Sequence, residues 1–166
     1  MTTKITIRSL MQHQSGLKDE EIFHHVENQN TPPIEKYVEK CLTKNGELYK
    51  DWSSNTKYHY SNAGITLLGY LIEEVSGLSF VEFIQNRIFD PLQIKNANWL
   101  IEKIDVNLLA NNYNFYCEPY GHYQVEEYPA CQLRISIEDL NKILIIFTSN
   151  DERVTILKLT ENLKKV

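Results

Sequence analysis

At 166 residues the chain is long enough for one domain with a real core, and 42% hydrophobic against 23% charged residues excludes a wholly disordered composition. A net charge of −5 without a basic stripe speaks against a nucleic-acid surface. The longest apolar stretch, Ile143-Leu144-Ile145-Ile146-Phe147, is far too short to span a bilayer, so no membrane insertion is expected.

Helices dominate in chain order. Thr6 caps a short helix through Met11, which stops before the Ser15-Gly16 turn. A second helix is predicted over about 19–26, ahead of the polar Asn28-Gln29-Asn30 break. Thr31 followed by Pro32 and Pro33 opens a third, with Ile34, Tyr37, Val38, Cys41 and Leu42 on one face and its end near Gly46. After a polar and aromatic loop over 47–59, a helix over about 63–75 carries Ile65, Leu68, Ile72 and Val75 at helical spacing, widened by Leu67 and Leu71 and stopped by Gly77.

Ser79 and Glu82 form a capping box for the next helix, which turns Phe80, Phe83, Ile84 and Ile88 inward and ends at Asp90-Pro91. Over 108–129 the pattern becomes aromatic and β-favouring. Tyr113, Phe115 and Cys117 alternate before Pro119-Tyr120-Gly121, and Tyr123 and Val125 after it, which predicts a short hairpin turning at 119–121. Ser136 and Asp139 then start a last capped helix with Leu140, Ile143, Leu144 and Phe147 as its buried face. There is no internal repeat and no convincing domain boundary, so residues 1–166 read as one mainly helical unit.

Cys41, Cys117 and Cys131 have no close pairing and no C-x-x-C spacing, and are expected to be buried thiols rather than disulfide or zinc ligands. His24 and His25 are adjacent and His13, His59 and His122 scattered, so no metal site is expected, and the apolar stripes contain no cofactor box. Met1-Thr2-Thr3-Lys4 leads straight into an amphipathic segment with no secretory signal, and the compartment stays open.

Tyr60-Ser61-Asn62 places a phenol and a carboxamide at a helix start. Unpaired N–H groups and the positive end of the helix dipole favour a phenolate, which would make Tyr60 a general base. The plainer reading is a helix-opening turn, with Ser61 or Asn62 as N-cap and Tyr60 packed ahead of it. Ser54-Asn55-Thr56-Lys57 matches S-x-x-K, a pattern in which lysine takes the proton of a nucleophilic serine on one helix face. Here it stands in a run of turn formers, so Ser54 and Lys57 are not expected to meet.

Four blocks carry a resemblance. Ile5-Thr6-Ile7-Arg8-Ser9-Leu10-Met11-Gln12-His13-Gln14-Ser15-Gly16-Leu17 comes first, and Tyr60-Ser61-Asn62-Ala63-Gly64 second. The third runs from Phe80-Val81-Glu82-Phe83 to Phe89-Asp90-Pro91-Leu92, and the fourth is Tyr128-Pro129-Ala130-Cys131-Gln132-Leu133-Arg134-Ile135-Ser136-Ile137-Glu138-Asp139-Leu140. In order and spacing they resemble the serine β-lactamase-related family of class C β-lactamases, D-alanyl-D-alanine carboxypeptidases and esterases.

The resemblance implies the helical subdomain and connecting hairpin of an α/β β-lactamase and penicillin-binding-protein-like fold with its sheet largely missing. It also implies a single partial domain cut at both ends, because neither the family's S-x-x-K ahead of the first block nor its K-T-G or H-x-G strand is present. Tyr60 would act as general base or share a proton with a lysine, and Asn62 would orient the substrate amide. The reaction would be acyl transfer through an acyl-serine, without metal or cofactor, on a small amide, lactam or ester. His13 and Ser15 would be scaffold, and Cys131 stands where relatives often have glycine, a position of concern if it needs positive φ. The chain itself is expected to be inert and to self-associate through an uncovered apolar face; the alternative is a non-catalytic binding module derived from the fold.

Overall fold

The computed structural model describes residues 4–18, 25–26, 31–41 and 53–148. Helix α1 (Ile7–Met11) opens on a reciprocal box in which Thr6 Oγ1 accepts the Ser9 N–H and Ser9 Oγ accepts the Thr6 N–H. Strand β1 (His25–Val26) follows, then α2 (Ile34–Cys41), whose Ile34 and Tyr37 are buried. Helix α3 (Asn62–Ser76) starts from the Ser61 cap and ends at Gly77, whose φ of 69° lets its N–H return 2.9 Å to the Glu73 carbonyl.

Helix α4 (Phe80–Ile84) has the Ser79–Glu82 box and passes into one wider π turn, Gln85–Phe89. The two-residue strands β2 (Ala97–Asn98), β3 (Gln124–Val125) and β4 (Arg134–Ile135) interleave with short α5 (Tyr128–Cys131), and α6 (Ile137–Thr148) closes the series. Strand β1 pairs antiparallel with β3, His25 opposite Val125, and β2 pairs antiparallel with β4, Ala97 opposite Ile135. These two ribbons are the sheets of the described residues.

The core is built on aromatic rings. Phe89 stacks on Trp99 with centroids 5.6 Å apart, Phe80 meets Trp99 edge-on at 4.9 Å, and Tyr128 lies 6.2 Å from Phe80. Ile34, Val81, Leu92, Ile94 and Ile146 fill the space around them. Helix α3 approaches α5 through Gly69, where an added Cβ would lie only 3.0 Å from Pro129 Cβ.

Several expectations change. His25 and Val26, placed in a helix by their sequence, form a strand because Gln124 and Val125 supply a ladder partner; the rest of that predicted helix lies outside the described residues. Val75 is 88% exposed, since α3 packs tightly through Asn62, Thr66 and Gly69 while Ile65, Leu68 and Ile72 stay half-buried. The π turn brings Phe89 fully inside while Ile88 is only partly covered. Among the described apolar side chains of α6 the buried one is Ile146, Leu144 is 52% exposed, and the side chain of Phe147 lies outside the description.

The hairpin is real, but it turns at Asn114–Cys117. The Asn114 carboxamide oxygen accepts from the Tyr116 and Glu118 N–H groups, Cys117 takes a φ of 61°, and Tyr113 bridges Pro119. Cys117 and Cys131 are exposed rather than buried, one near the turn and the other at the end of α5. Because Cys131 is helical, the positive φ that would have favoured glycine is not required there. Cys41 ends α2, and the predicted extension of that helix to Gly46 lies outside the described residues.

One buried carboxylate ties α6 to the β2 segment. Asp139 Oδ2 accepts the Lys95 and Asn96 N–H groups at 3.1 and 2.7 Å, and Oδ1 receives the Lys142 ammonium, which also donates to the Gln93 carbonyl. Burial alone would push this carboxyl up, but the Lys142 hydrogen bond and the two N–H donors outweigh it and hold it below its ordinary value. Its stabilising contribution is therefore complete above about pH 4 and is lost as pH falls through the lower folded value. Asp139→Asn is expected to cost about 1–3 kcal/mol at neutral pH and to flatten the acid limb of stability measured by urea unfolding across pH. Identical acid limbs in the two proteins would contradict this account.

Candidate functional site

The tyrosine motif is held by the loop that follows α1. Gln14 anchors to the Ser9 carbonyl through its N–H, and its own carbonyl accepts the Asn55 N–H at 2.7 Å and the Ser54 hydroxyl at 3.3 Å. The His13 carbonyl accepts the His59 N–H at 2.7 Å, and His13 Nδ1 accepts the Ser61 N–H at 3.2 Å. His13 thus grips the extended segment leading into α3 on both sides of Tyr60. It does so from a left-handed backbone, φ 54°, which costs a non-glycine residue roughly 1–3 kcal/mol. Its ring also lies against Tyr60, with centroids 4.5 Å apart, and meets Tyr58 edge-on.

At the helix start the three motif residues divide the work. Ser61, fully buried, is the N-cap, and its Oγ accepts the Gly64 N–H at 3.0 Å. Tyr60 precedes the cap and is 53% exposed, its ring against His13. Asn62 is the first helical residue, only 8% exposed, and its Oδ1 has no hydrogen-bond partner among the described residues. One turn on, the buried Thr66 Oγ1 is also without a partner.

The structure therefore brings Tyr60 and Asn62 together on a single rigid turn and assigns the capping role to Ser61. Ser54 and Lys57 form no helical pair: residues 54–57 are turn and bend, Ser54 is buried on the Gln14 carbonyl, and Lys57 is exposed. Tyr70 and Tyr128 are poor alternatives as bases. Burial first, and neighbouring carboxylates second, push Tyr128 well up, and burial with Glu74 raises Tyr70. The unpaired oxygens of Asn62 and Thr66 were missed by the sequence pattern, which marks 62 and 66 as neighbours on one face but not as buried and unsatisfied.

No group of three histidine, cysteine, aspartate or glutamate side chains is placed to hold a metal among the described residues, and none of their helices is long and apolar enough to cross a membrane. A family model described as Beta-lactamase matches residues 2–164. The chain is 29% identical over 123 residues to penicillin-binding protein 4* of Bacillus subtilis (strain 168), a match covering 70% of this chain and 27% of that protein. It is 30% identical over 151 residues to β-lactamase-like protein 4 of Dictyostelium discoideum, covering 85% of this chain and 26% of the relative. The chain thus spans about a quarter of the length of these relatives. Its fold superimposes on a class C β-lactamase solved in complex with cefoxitin, with a TM-score of 0.68 and 16% identity over 92% of this chain and 41% of that one.

The division of labour at the turn is measurable. Ser61→Ala removes the cap and is expected to cost about 1 kcal/mol. Asn62→Ala removes an acceptor that satisfies nothing among the described residues, and is expected to leave the melting temperature unchanged or slightly raised. Thermal unfolding followed by circular dichroism distinguishes them, and the reverse order of effects would show Asn62 to be the structural residue.

Proposed function

This chain belongs to the β-lactamase family, and from that membership we propose that it forms the tyrosine and asparagine wall of a serine-hydrolase acyl-transfer site. The observation that carries the proposal is the Asn62 Oδ1, buried and unpaired among the described residues, beside an exposed phenol on a clamped turn. A buried acceptor left unpaired costs about 1–3 kcal/mol, and a substrate amide N–H or a lysine ammonium would relieve that cost. Tyr60 takes the proton of a serine nucleophile as it attacks the substrate carbonyl, directly or shared with a lysine, and returns it to the leaving group. Water then releases the acyl group. The substrate is a small amide, lactam or ester.

Within the same reading, residues 1–166 are one partial domain, the helical subdomain and connecting hairpin of the family's larger α/β fold. Support comes from the two-residue ribbons among the described residues and from the quarter of its relatives' length that the chain spans. Ser54 is committed to the Gln14 carbonyl and does not face Lys57 as a helical pair, so the nucleophile is proposed to come from elsewhere and the chain alone to be inert.

The chain is expected to hydrolyse neither nitrocefin nor p-nitrophenyl esters above buffer and to take up no stoichiometric fluorescent penicillin. An adduct mapped to Ser54 by mass spectrometry would overturn this assignment. In a chain completed with an S-x-x-K segment, Tyr60→Phe should reduce acyl transfer about 10²–10⁴-fold with little change in melting temperature. A lower melting temperature with an unaltered rate would make the hydroxyl structural.

The reading extends to self-association. Ile7 and Met11 on α1 and Ile137 and Leu144 on α6 leave large apolar side chains in water, surface of the kind that favours association. Sedimentation velocity is expected to show concentration-dependent dimers or larger species, together with binding of a hydrophobic dye. A monomer without dye binding at all concentrations would refute it.

A further inference from the structure

Away from Tyr60, a groove of about 1050 Å³ runs between the β2–β4 ribbon and the segment 103–112. Its charge is opposite in sign to that of the chain. Lys95, Lys103 and Arg134 line it against one carboxylate, Asp105, whose Oδ1 is already occupied by the Asn107 backbone and side-chain N–H groups, whereas the whole chain carries −5. A groove lined by one sign of charge concentrates ligands of the other sign.

Arg134 is the telling residue. Its guanidinium is half-buried, and its partners are neutral: Nη1 donates to the Trp99 and Gln132 carbonyls at 3.2 and 3.3 Å, and Nη2 donates to the Tyr123 carbonyl at 2.6 Å. No carboxylate forms an ion pair with it among the described residues. A guanidinium has five N–H donors, so the Nε donor and one on Nη2 remain. Burial pushes this group down from its ordinary value, as expected for a charge partly stripped of water, and Tyr123 offsets this only in part. Partly buried charges are normally paired, and an arginine fork is suited to a carboxylate or phosphate. Lys95 makes no side-chain hydrogen bond or ion pair among the described residues, and Lys103 feels only the longer-range attraction of Glu82.

We propose that this groove binds a small ligand carrying two or more oxyanion groups, one received by Arg134 and another by Lys95 or Lys103. The site is separate from the tyrosine motif, none of whose residues lines the groove, so it stands or falls independently of the acyl-transfer reading.

Calorimetric titration with citrate and with inorganic pyrophosphate, at low and moderate salt, tests the proposal, with triethyl citrate as the uncharged control. Saturable binding of at least one anion is expected, weakened by salt and absent for the ester; the preferred probe identifies the anion as carboxylate or phosphate. Lys95→Gln combined with Lys103→Gln should weaken binding about three- to tenfold at an unchanged melting temperature. Arg134→Lys, which keeps the charge but loses the fork, should weaken it further. Because that variant also loosens the Trp99 and Tyr123 carbonyls, the lysine pair carries the decision. Failure of both anions to saturate at millimolar concentration, or affinity unchanged in the double lysine variant, would overturn the proposal.

Discussion

The grip of His13 on the segment entering α3 is the constraint on which the candidate site depends. One residue accepts two N–H groups, from His59 through its carbonyl and from Ser61 through its ring, so the backbone around Tyr60 is held at both neighbours. The left-handed φ of His13 accompanies the aiming of its carbonyl and its ring at the same segment. Gln14 repeats the arrangement one residue on by holding Asn55 and Ser54. A phenol placed in this way has few backbone degrees of freedom, the preorganisation that the proton transfer proposed for it would require.

Beneath that clamp, α3 serves as the scaffold of the candidate site. Its N-terminal turn presents Asn62, and the same face continues through Thr66 to Gly69, where α5 comes into backbone-close contact through Pro129. Small and polar residues therefore face the closest neighbour, and larger aliphatic ones lie toward the half-covered sides. The aromatic cluster of Phe80, Phe89, Trp99 and Tyr128 then fixes α4 and α5 with respect to each other. At this firmly seated helix start Asn62 keeps an oxygen without a partner among the described residues.

The second half of the described chain is organised by polar ties instead. Asp139 fastens α6 to the backbone at Lys95 and Asn96, Gln132 bridges Val125 and Trp99, and Arg134 gathers three carbonyls. With strands only two residues long, ladder hydrogen bonds cannot supply this order, and side-chain to backbone bonds take their place. That substitution leaves a half-buried guanidinium on the groove without an ionic partner among the described residues, which adds to the positive character that Lys95 and Lys103 give the region.

What could be read without coordinates was local. The Thr6 cap, the Ser79 capping box, the Gly77 stop, the Ser136 cap and the helix following Tyr60-Ser61-Asn62 each depend on residues within four positions of one another, so short-range hydrogen bonding determines them. Tertiary structure decided the rest. His25 and Val26 became a strand because residues about a hundred positions later offered a ladder, Phe89 turned inward because one π turn shifted the helix phase, and Ser61 rather than Asn62 took the cap while Asn62 was buried with an oxygen unpaired among the described residues. Pairing, phase and burial depend on distant partners, and a pattern of neighbours along the chain carries no information about which distant groups will arrive.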